Sequence, residues 1–281
     1  LNDAKLMAQF AASSLGLEPR QVFVCSTGII GYPLPVAKVQ AATPKIVEKL
    51  RISGWGDFSR SIMTSDKVNK VCAVKTLIGG KEITITGTAK GSGMIAPNMA
   101  TMLAFFVTDA AISEADLRET TKRVVNETFN CISIDGDMST NDTVLVLANG
   151  TAKNRRPRKG SKDLKHFSEA LKNVMLDLSK QLVRDGEGAS KFIRIEVEGA
   201  SSDLDAKKVA RAVAKSSLVK CSWNGSDPNW GRVIDAVGYS GARVDENKVD
   251  IYFGPLTAAV NGIMAPTPIG KLKAQVAKKE F

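Results

Sequence analysis

Lys90-Gly91-Ser92-Gly93-Met94-Ile95-Ala96-Pro97-Asn98-Met99-Ala100-Thr101-Met102-Leu103 is the stretch on which the fold reading turns. Before it lies an alternating run, 82–88, and it feeds a nearly continuous apolar run, 101–108; both are of strand type. Gly91 to Ala96 matches GxGxxG/A letter by letter. A dinucleotide fingerprint, however, must open a helix whose N-terminus meets the pyrophosphate. Here Pro97 and Asn98 intervene and a strand follows, so the glycines are expected to form a flexible, exposed loop. Thr101 then has two readings. It is either the first residue of a core strand, or a new N-terminus left when the Ala100–Thr101 bond is cut. In the second case its α-amino group, with a pKa of about 7.7–8.0, serves as the base for its own hydroxyl.

The second reading answers a shortage. His166 is the only histidine, and its polar-to-apolar surroundings place it on the surface of a helix. A Ser-His-Asp triad, a histidine-rich zinc site and an HExxH motif are therefore excluded, and no metal is expected. The four cysteines, Cys25, Cys72, Cys131 and Cys221, form no CxxC pair. They read as reduced, small buried residues of a cytoplasmic protein, not as nucleophiles or a disulfide framework.

The 281 residues carry 39 basic and 29 acidic side chains, a net charge of +10. The basic residues are scattered except in 153–162, where Pro157 and Gly160 mark a solvated loop. No aromatics are interleaved there to stack on bases, so nucleic acid is not an expected partner. No apolar run approaches the ~18 residues that span a bilayer, so no membrane association is expected. Leu1-Asn2-Asp3-Ala4-Lys5 has no initiator Met and no signal-peptide pattern, which reads as a fragment.

Helical periodicity covers 4–15, 36–50, 113–129, 164–183 and 205–216, with Ser113 as an N-cap ahead of Glu114 and Asp116. Strand patterns cover 21–25, 71–77, 82–88, 101–108, 143–147, 192–197 and 249–253. Such alternation specifies an α/β (α+β) layered sandwich. A lobe boundary is expected near 153–162. Asp135 to Asp142 resembles the start of a calcium loop but lacks Gly at position six and Glu at twelve, so it is expected to be an Asx-bonded turn. Ser26-Thr27-Gly28-Ile29-Ile30-Gly31 follows an apolar run with small residues that suit backbone binding of an anion or oxyanion.

The Lys90–Leu103 stretch resembles the self-cleavage segment of the glutamate N-acetyltransferases of arginine biosynthesis, also called ornithine acetyltransferases. Four further motifs fit in the family's order: Cys25 to Gly31, Ile62-Met63-Thr64-Ser65-Asp66, Arg184-Asp185-Gly186-Glu187-Gly188-Ala189 and Asp227-Pro228-Asn229-Trp230-Gly231-Arg232. The resemblance spans nearly the whole chain. It implies an autoprocessed enzyme of the N-terminal-nucleophile type, cut into an α-chain part (1–100) and a β-chain part (101–281), with two copies of each in a heterotetramer. By the same resemblance, Thr101 takes an acetyl group from N-acetylornithine and passes it to glutamate. Thr27 and Gly28 match the oxyanion-hole positions, and Thr64, Lys90, Thr101 and Glu187 the substrate contacts. Asn98, Asp227 and Arg232 lie in family motifs with no assigned role. No cofactor is implied; acetyl-CoA as a second acetyl donor stays open.

The family also carries segments before the match to Leu1 and after the match to Phe281, the latter supplying an Asn and a Ser or Thr to the substrate site. Their absence here implies an incomplete pocket. Two other classes stay in view: a same-fold N-terminal-nucleophile hydrolase or aminopeptidase with water as acceptor, and an inactive fragment or non-catalytic binding module.

Overall fold

β1 (Lys70–Ile78) and β2 (Lys81–Lys90) form a hairpin with Ile78 opposite Lys81 and Lys70 opposite Ala89. Gly79 and Gly80, both at positive φ, make the two-residue turn whose twist suits such a hairpin. β2 pairs antiparallel with β3 (Leu103–Thr108), and β3 runs parallel to β4 (Thr143–Ala148), giving the order β1-β2-β3-β4. The computed structural model describes residues 1–96 and 102–281. The parallel step needs a crossover, and α4 (Glu114–Glu127) lies in it, capped by Ser113 Oγ accepting the Asp116 N–H at 3.1 Å.

α5 (Lys162–Arg184) lies against β1 and β2 and beside α4. Its Phe167, Leu171, Val174, Leu178 and Leu182 recur every three to four residues, and all are fully buried. At roughly 1.5–3 kcal/mol per buried apolar side chain, this stripe is the main attachment of helix to sheet. It interlocks with Ile83, Ile85 and Phe106 from the strands. α3 (Trp55–Ser61) sits near Phe105 on β3, where Phe58 meets that ring edge-on at 5.3 Å. α1 (Asn2–Leu15) and α2 (Val36–Glu48) pack on each other.

A second core follows. The antiparallel sheet β5 (Ile251–Phe253), β6 (Leu256–Val260) and β7 (Ile263–Met264) packs with α6 (Asp203–Lys215), α7 (Ser217–Asn224), α8 (Trp230–Gly238) and α9 (Ile269–Val276) around Val213, Val219, Trp223 and Phe253. The mixed α/β class expected from the sequence is the class observed.

Several expectations change in detail. All five helices form, but 21–25 joins no strand ladder among the described residues. The 192–197 run makes only one bridge, Phe192 to Glu280. Its Ile193, Ile195 and Val197 do pack on the second core, so the alternation reports burial and not ladder pairing. The lobe boundary is not in the basic loop: the first core runs past it to Leu182, and the second gathers residues from Ile193 onward. Segment 153–162 is a loop, yet Asn154 is buried and bonds both the N–H and the C=O of Ala111, at 2.7 and 3.1 Å. The cysteines are free thiols, but none is fully buried: Cys25 and Cys72 are half-buried, Cys131 and Cys221 exposed. His166 is exposed on α5 as expected.

Candidate active site

Three strands end side by side, and the predicted residues cluster at those ends. Lys90 closes β2, opposite Leu103, which opens β3; Leu103 faces Thr143, which opens β4. Ala100 and Thr101 lie outside the described residues. Their neighbour Met102 is buried, donates its N–H to Asp142 Oδ1 at 2.6 Å and accepts the Thr143 N–H at 3.0 Å.

One side of this edge is held by a buried ionic knot. Lys70 Nζ lies 2.7 Å from Asp66 Oδ1 and 2.6 Å from Asp185 Oδ2, with the Lys70 and Asp66 side chains wholly inaccessible to solvent. Asp66 also accepts the N–H groups of Gly91 (2.7 Å) and Thr64 (3.1 Å). Burial pushes its carboxyl up, but these donors and the Lys70 charge outweigh burial and hold it below the ordinary carboxylate range. Asp185 accepts the N–H of Lys67 at 3.1 Å. The Thr64-Ser65-Asp66 motif, the glycine loop and the Asp185-Gly186-Glu187 motif are thus fastened to one ammonium. Ser92 adds a second fastening: its Oγ lies 2.7 Å from Ser65 Oγ and donates to Glu187 Oε1 at 3.4 Å, while its C=O accepts the Glu187 N–H at 2.7 Å.

The described part of the glycine loop is bonded on both sides and largely buried, only Met94 being exposed, contrary to the sequence expectation of an exposed loop. Gly91, Ser92, Ile95 and Ala96 are buried. Asp135 accepts the N–H groups of Met94 and Ile95, at 2.5 and 2.9 Å, and that of Asp137 at 3.0 Å, so the Asp135–Asp142 segment is an Asx turn that clamps the loop. At Gly93 a Cβ would stand 2.7 Å from Glu187 Oε2, so only glycine leaves that carboxylate its place.

The opposite side is the Ser26–Gly31 loop. Asn141 donates its amide to Ser26 O at 2.5 Å and to Thr27 Oγ1 at 2.9 Å. Thr27 is half-buried and Gly28 exposed. Asn141 and Asp142 thus face two ways, one side chain on the Thr27 loop and the next on the residue after Thr101. Lys90 is buried beside them; burial lowers its ammonium, the charges of Asp66 and Asp142 raise it, Lys70 lowers it further, and the net shift is downward.

Thr64 is exposed and held through Asp66. Asp227 accepts from the Asn229 amide (3.1 Å), Asn229 caps α8 by accepting the Arg232 N–H (3.2 Å), and Arg232 donates to Leu218 O (2.9 Å). Asp227 and Arg232 thus have structural partners; Asn98 lies outside the described residues. Lys220 reaches across to Ile134 O at 2.9 Å and braces the Asp135 turn from the second core. Sequence reasoning did not single out Lys70, and it placed Asn141 and Asp142 only in an expected Asx turn, not in the site. A lysine in an alternating strand and a polar pair in a turn carry no signal until the fold joins them to distant segments.

These features define a class: a mixed α/β protein whose candidate site lies at the strand ends of one sheet, framed by an Asn-held Thr-Gly loop and an ion-paired glycine loop. The chain belongs to the ArgJ family, whose family model matches residues 1–281. The arginine biosynthesis bifunctional protein ArgJ of Symbiobacterium thermophilum is 49% identical over 256 residues, 91% of this chain and 64% of that protein. The protein of the same name from Caldanaerobacter subterraneus subsp. tengcongensis is 48% identical over 252 residues, 90% of this chain and 62% of that protein. The chain thus spans a little under two thirds of the length of these relatives. The crystal structure of ArgJ from Bacillus halodurans superimposes with a TM-score of 0.61 at 40% identity, covering 63% of this chain and 83% of that one. Among the described residues no helix is long and apolar enough to cross a membrane.

Proposed function

We propose that the full-length protein cuts itself between Ala100 and Thr101 and then moves an acetyl group from N-acetylornithine to glutamate through an acetyl ester on Thr101. The observation that carries this reading is the convergence at the strand ends. Asn141 and Asp142 tie the Thr27-Gly28 loop to the residue that follows Thr101, and the Lys70 knot brings Thr64, the end of the glycine loop and Glu187 to the same edge. In this reading the freed amine of Thr101 takes the proton of its own hydroxyl, whose oxygen attacks the acetyl carbonyl. Thr27 and Gly28 hold the resulting oxyanion, a contribution of roughly 3 kcal/mol for a preorganised donor. Collapse expels ornithine with the proton, and glutamate takes the acetyl group by the reverse sequence. A covalent ester divides one hard transfer into two easier ones.

Lys90 and Glu187 supply opposite charges for the charged ends of an amino-acid substrate. No other nucleophile competes among the described thiols that titrate abnormally. Burial raises the Cys25 thiol, against a hydrogen bond with Thr143. Burial together with Asp177 pushes the Cys72 thiol up to about 11. The reading uses no cofactor, and two copies of each cleaved part form the assembly that the family resemblance implies. Reduced thiols fit a cytoplasmic setting.

Mass spectrometry of the full-length protein is expected to give two chains split at Ala100/Thr101. Incubation with N-acetylornithine alone should leave one acetyl group on the Thr101 peptide, and two-substrate kinetics should be ping-pong. An uncut, fully active chain would overturn the mechanism, and acetate release independent of glutamate would make the protein a hydrolase. Assay with acetyl-CoA in place of N-acetylornithine decides whether a second donor is accepted.

Gly93→Ala tests the Glu187 assignment. The added methyl must push the carboxylate aside, since its nearest contact is the end of that side chain. KM for the amino-acid substrate is expected to rise about tenfold, equivalent to ~1.4 kcal/mol. The melting temperature should fall by only a few degrees. An unchanged KM would remove Glu187 from the substrate site.

A further inference from the structure

We propose that Asp142 is the counter-charge of the Thr101 amino group, its carboxylate pairing with the ammonium that forms when the amine takes the hydroxyl proton. This inference rests on the acetyl-threonine reading above and adds a residue that no motif resemblance supplied. Asp142 stands at the head of β4, and its Oδ1 accepts the Met102 N–H at 2.6 Å. Met102 is the residue bonded to Thr101 in the chain, so Asp142 holds the backbone at the position that directly follows the proposed nucleophile. The other oxygen, Oδ2, is buried and has no hydrogen-bond partner among the described residues. A buried carboxylate oxygen without a donor is uncommon and calls for a functional account.

The surroundings suit a group that titrates near neutrality. Lys90 on β2 faces Asp142, with Asp66 and Lys70 behind it, and the Cys25 thiol bonds Thr143 on the N-terminal side. Burial pushes the Asp142 carboxyl up to about 6, against the Met102 hydrogen bond and the Lys90 charge. Above that value the group is an anion that stabilises the ammonium; below it the anion is lost. The proton balance is closed. One proton moves from Thr101 Oγ to the amine as the Oγ–C bond forms, and it leaves with ornithine as the C–N bond breaks. Asp142 stays ionised throughout and is a positioning residue by charge.

The test is Asp142→Asn in the full-length protein, which keeps the shape and an acceptor oxygen for Met102. Self-cleavage, read by intact mass, is expected to persist, while kcat/KM for N-acetylornithine falls at least tenfold. The acid limb of the kcat/KM profile should move down by about one pH unit, because a neighbouring opposite charge raises the pKa of an ammonium and its removal lowers it. Asp142→Glu should restore part of that limb. An asparagine variant whose acid limb coincides with the wild type would overturn the proposal, since a purely structural role lowers the rate without moving the limb. Should the variant fail to fold or cleave, the amine of threonine-labelled wild-type enzyme is followed by NMR. A second inflection near pH 6 is expected as Asp142 titrates, and its absence overturns the proposal. Acetylated Thr101 in the wild type with an unmoved limb rejects Asp142 alone; no acetylated Thr101 at all rejects the reading beneath it.

Discussion

Replacing Thr101 by alanine is expected to leave the full-length protein as a single uncut chain and to lower acetyl transfer by roughly 10⁴-fold or more, the scale seen when a covalent nucleophile is removed. The size of the effect follows from what else the site holds. The one histidine is exposed on the outer side of α5, in a helix that serves the core. Cys25 and Cys72 have thiols raised above their ordinary range, chiefly by burial, so they are poor thiolates at neutral pH. On the proposed mechanism, the Thr27-Gly28 loop of the variant would still be ready for an oxyanion but would have no attacking atom to generate one. Thr101→Ser, which keeps both hydroxyl and amine, should retain cleavage and a measurable fraction of transfer. Intact mass and a coupled N-acetylornithine/glutamate assay read both outcomes. An alanine variant that is cut, or that transfers acetyl at more than a small fraction of the wild-type rate, would refute the assignment.

Lys70→Met should produce a large loss of stability. The lysine and its two partners are essentially sealed from water, the Asp185 side chain retaining 5% exposure. Removing the cation leaves two carboxylates facing each other in the interior, and breaking such a pair typically costs about 3–5 kcal/mol. For a chain of this size about 2–4 °C accompanies each kcal/mol, so the melting temperature is expected to drop by roughly 10 °C.

The pH dependence carries the sign. The Asp66 carboxyl is held below its unfolded value of about 3.9. Its contribution is therefore present above pH ~3.9 and lost as pH falls through the folded value. The variant lacks the Lys70 part of that contribution, so its deficit should be full at pH 7 and smaller at about pH 3, below the unfolded value and on the way through the folded one. Thermal unfolding at the two pH values decides it, and a deficit under about 1 kcal/mol at pH 7 would show that the knot is not fastened as described. Because Asp66 and Asp185 also hold the Thr64, glycine-loop and Glu187 segments, activity in the surviving folded fraction should fall as well.

Legibility varied with length and locality. The long helices α4 and α5 and the strands β1 and β2 were readable because their patterns repeat over several turns or pairs, and Ser113 marks the start of α4; that the two strands pair as a hairpin emerged from the fold. The short helices α3, α7, α8 and α9 run only 7–9 residues, too few turns for a period to stand out. The run 192–197 alternates like a strand because one face meets the second core, but alternation reports burial and not hydrogen-bond partners.

The sequence alone determined the mixed α/β class, the exclusion of histidine-dependent chemistry and the five motifs that place the chain in its family, since each depends on residue identity and local spacing. Tertiary structure decided that the described part of the glycine loop is largely buried, that Lys70 joins Asp66 to Asp185 across more than a hundred residues, and that Asn141 and Asp142 reach to either side of the strand ends. A charge's worth depends on the solvent it has lost and the partner it has gained, and both are set by segments far away in the chain.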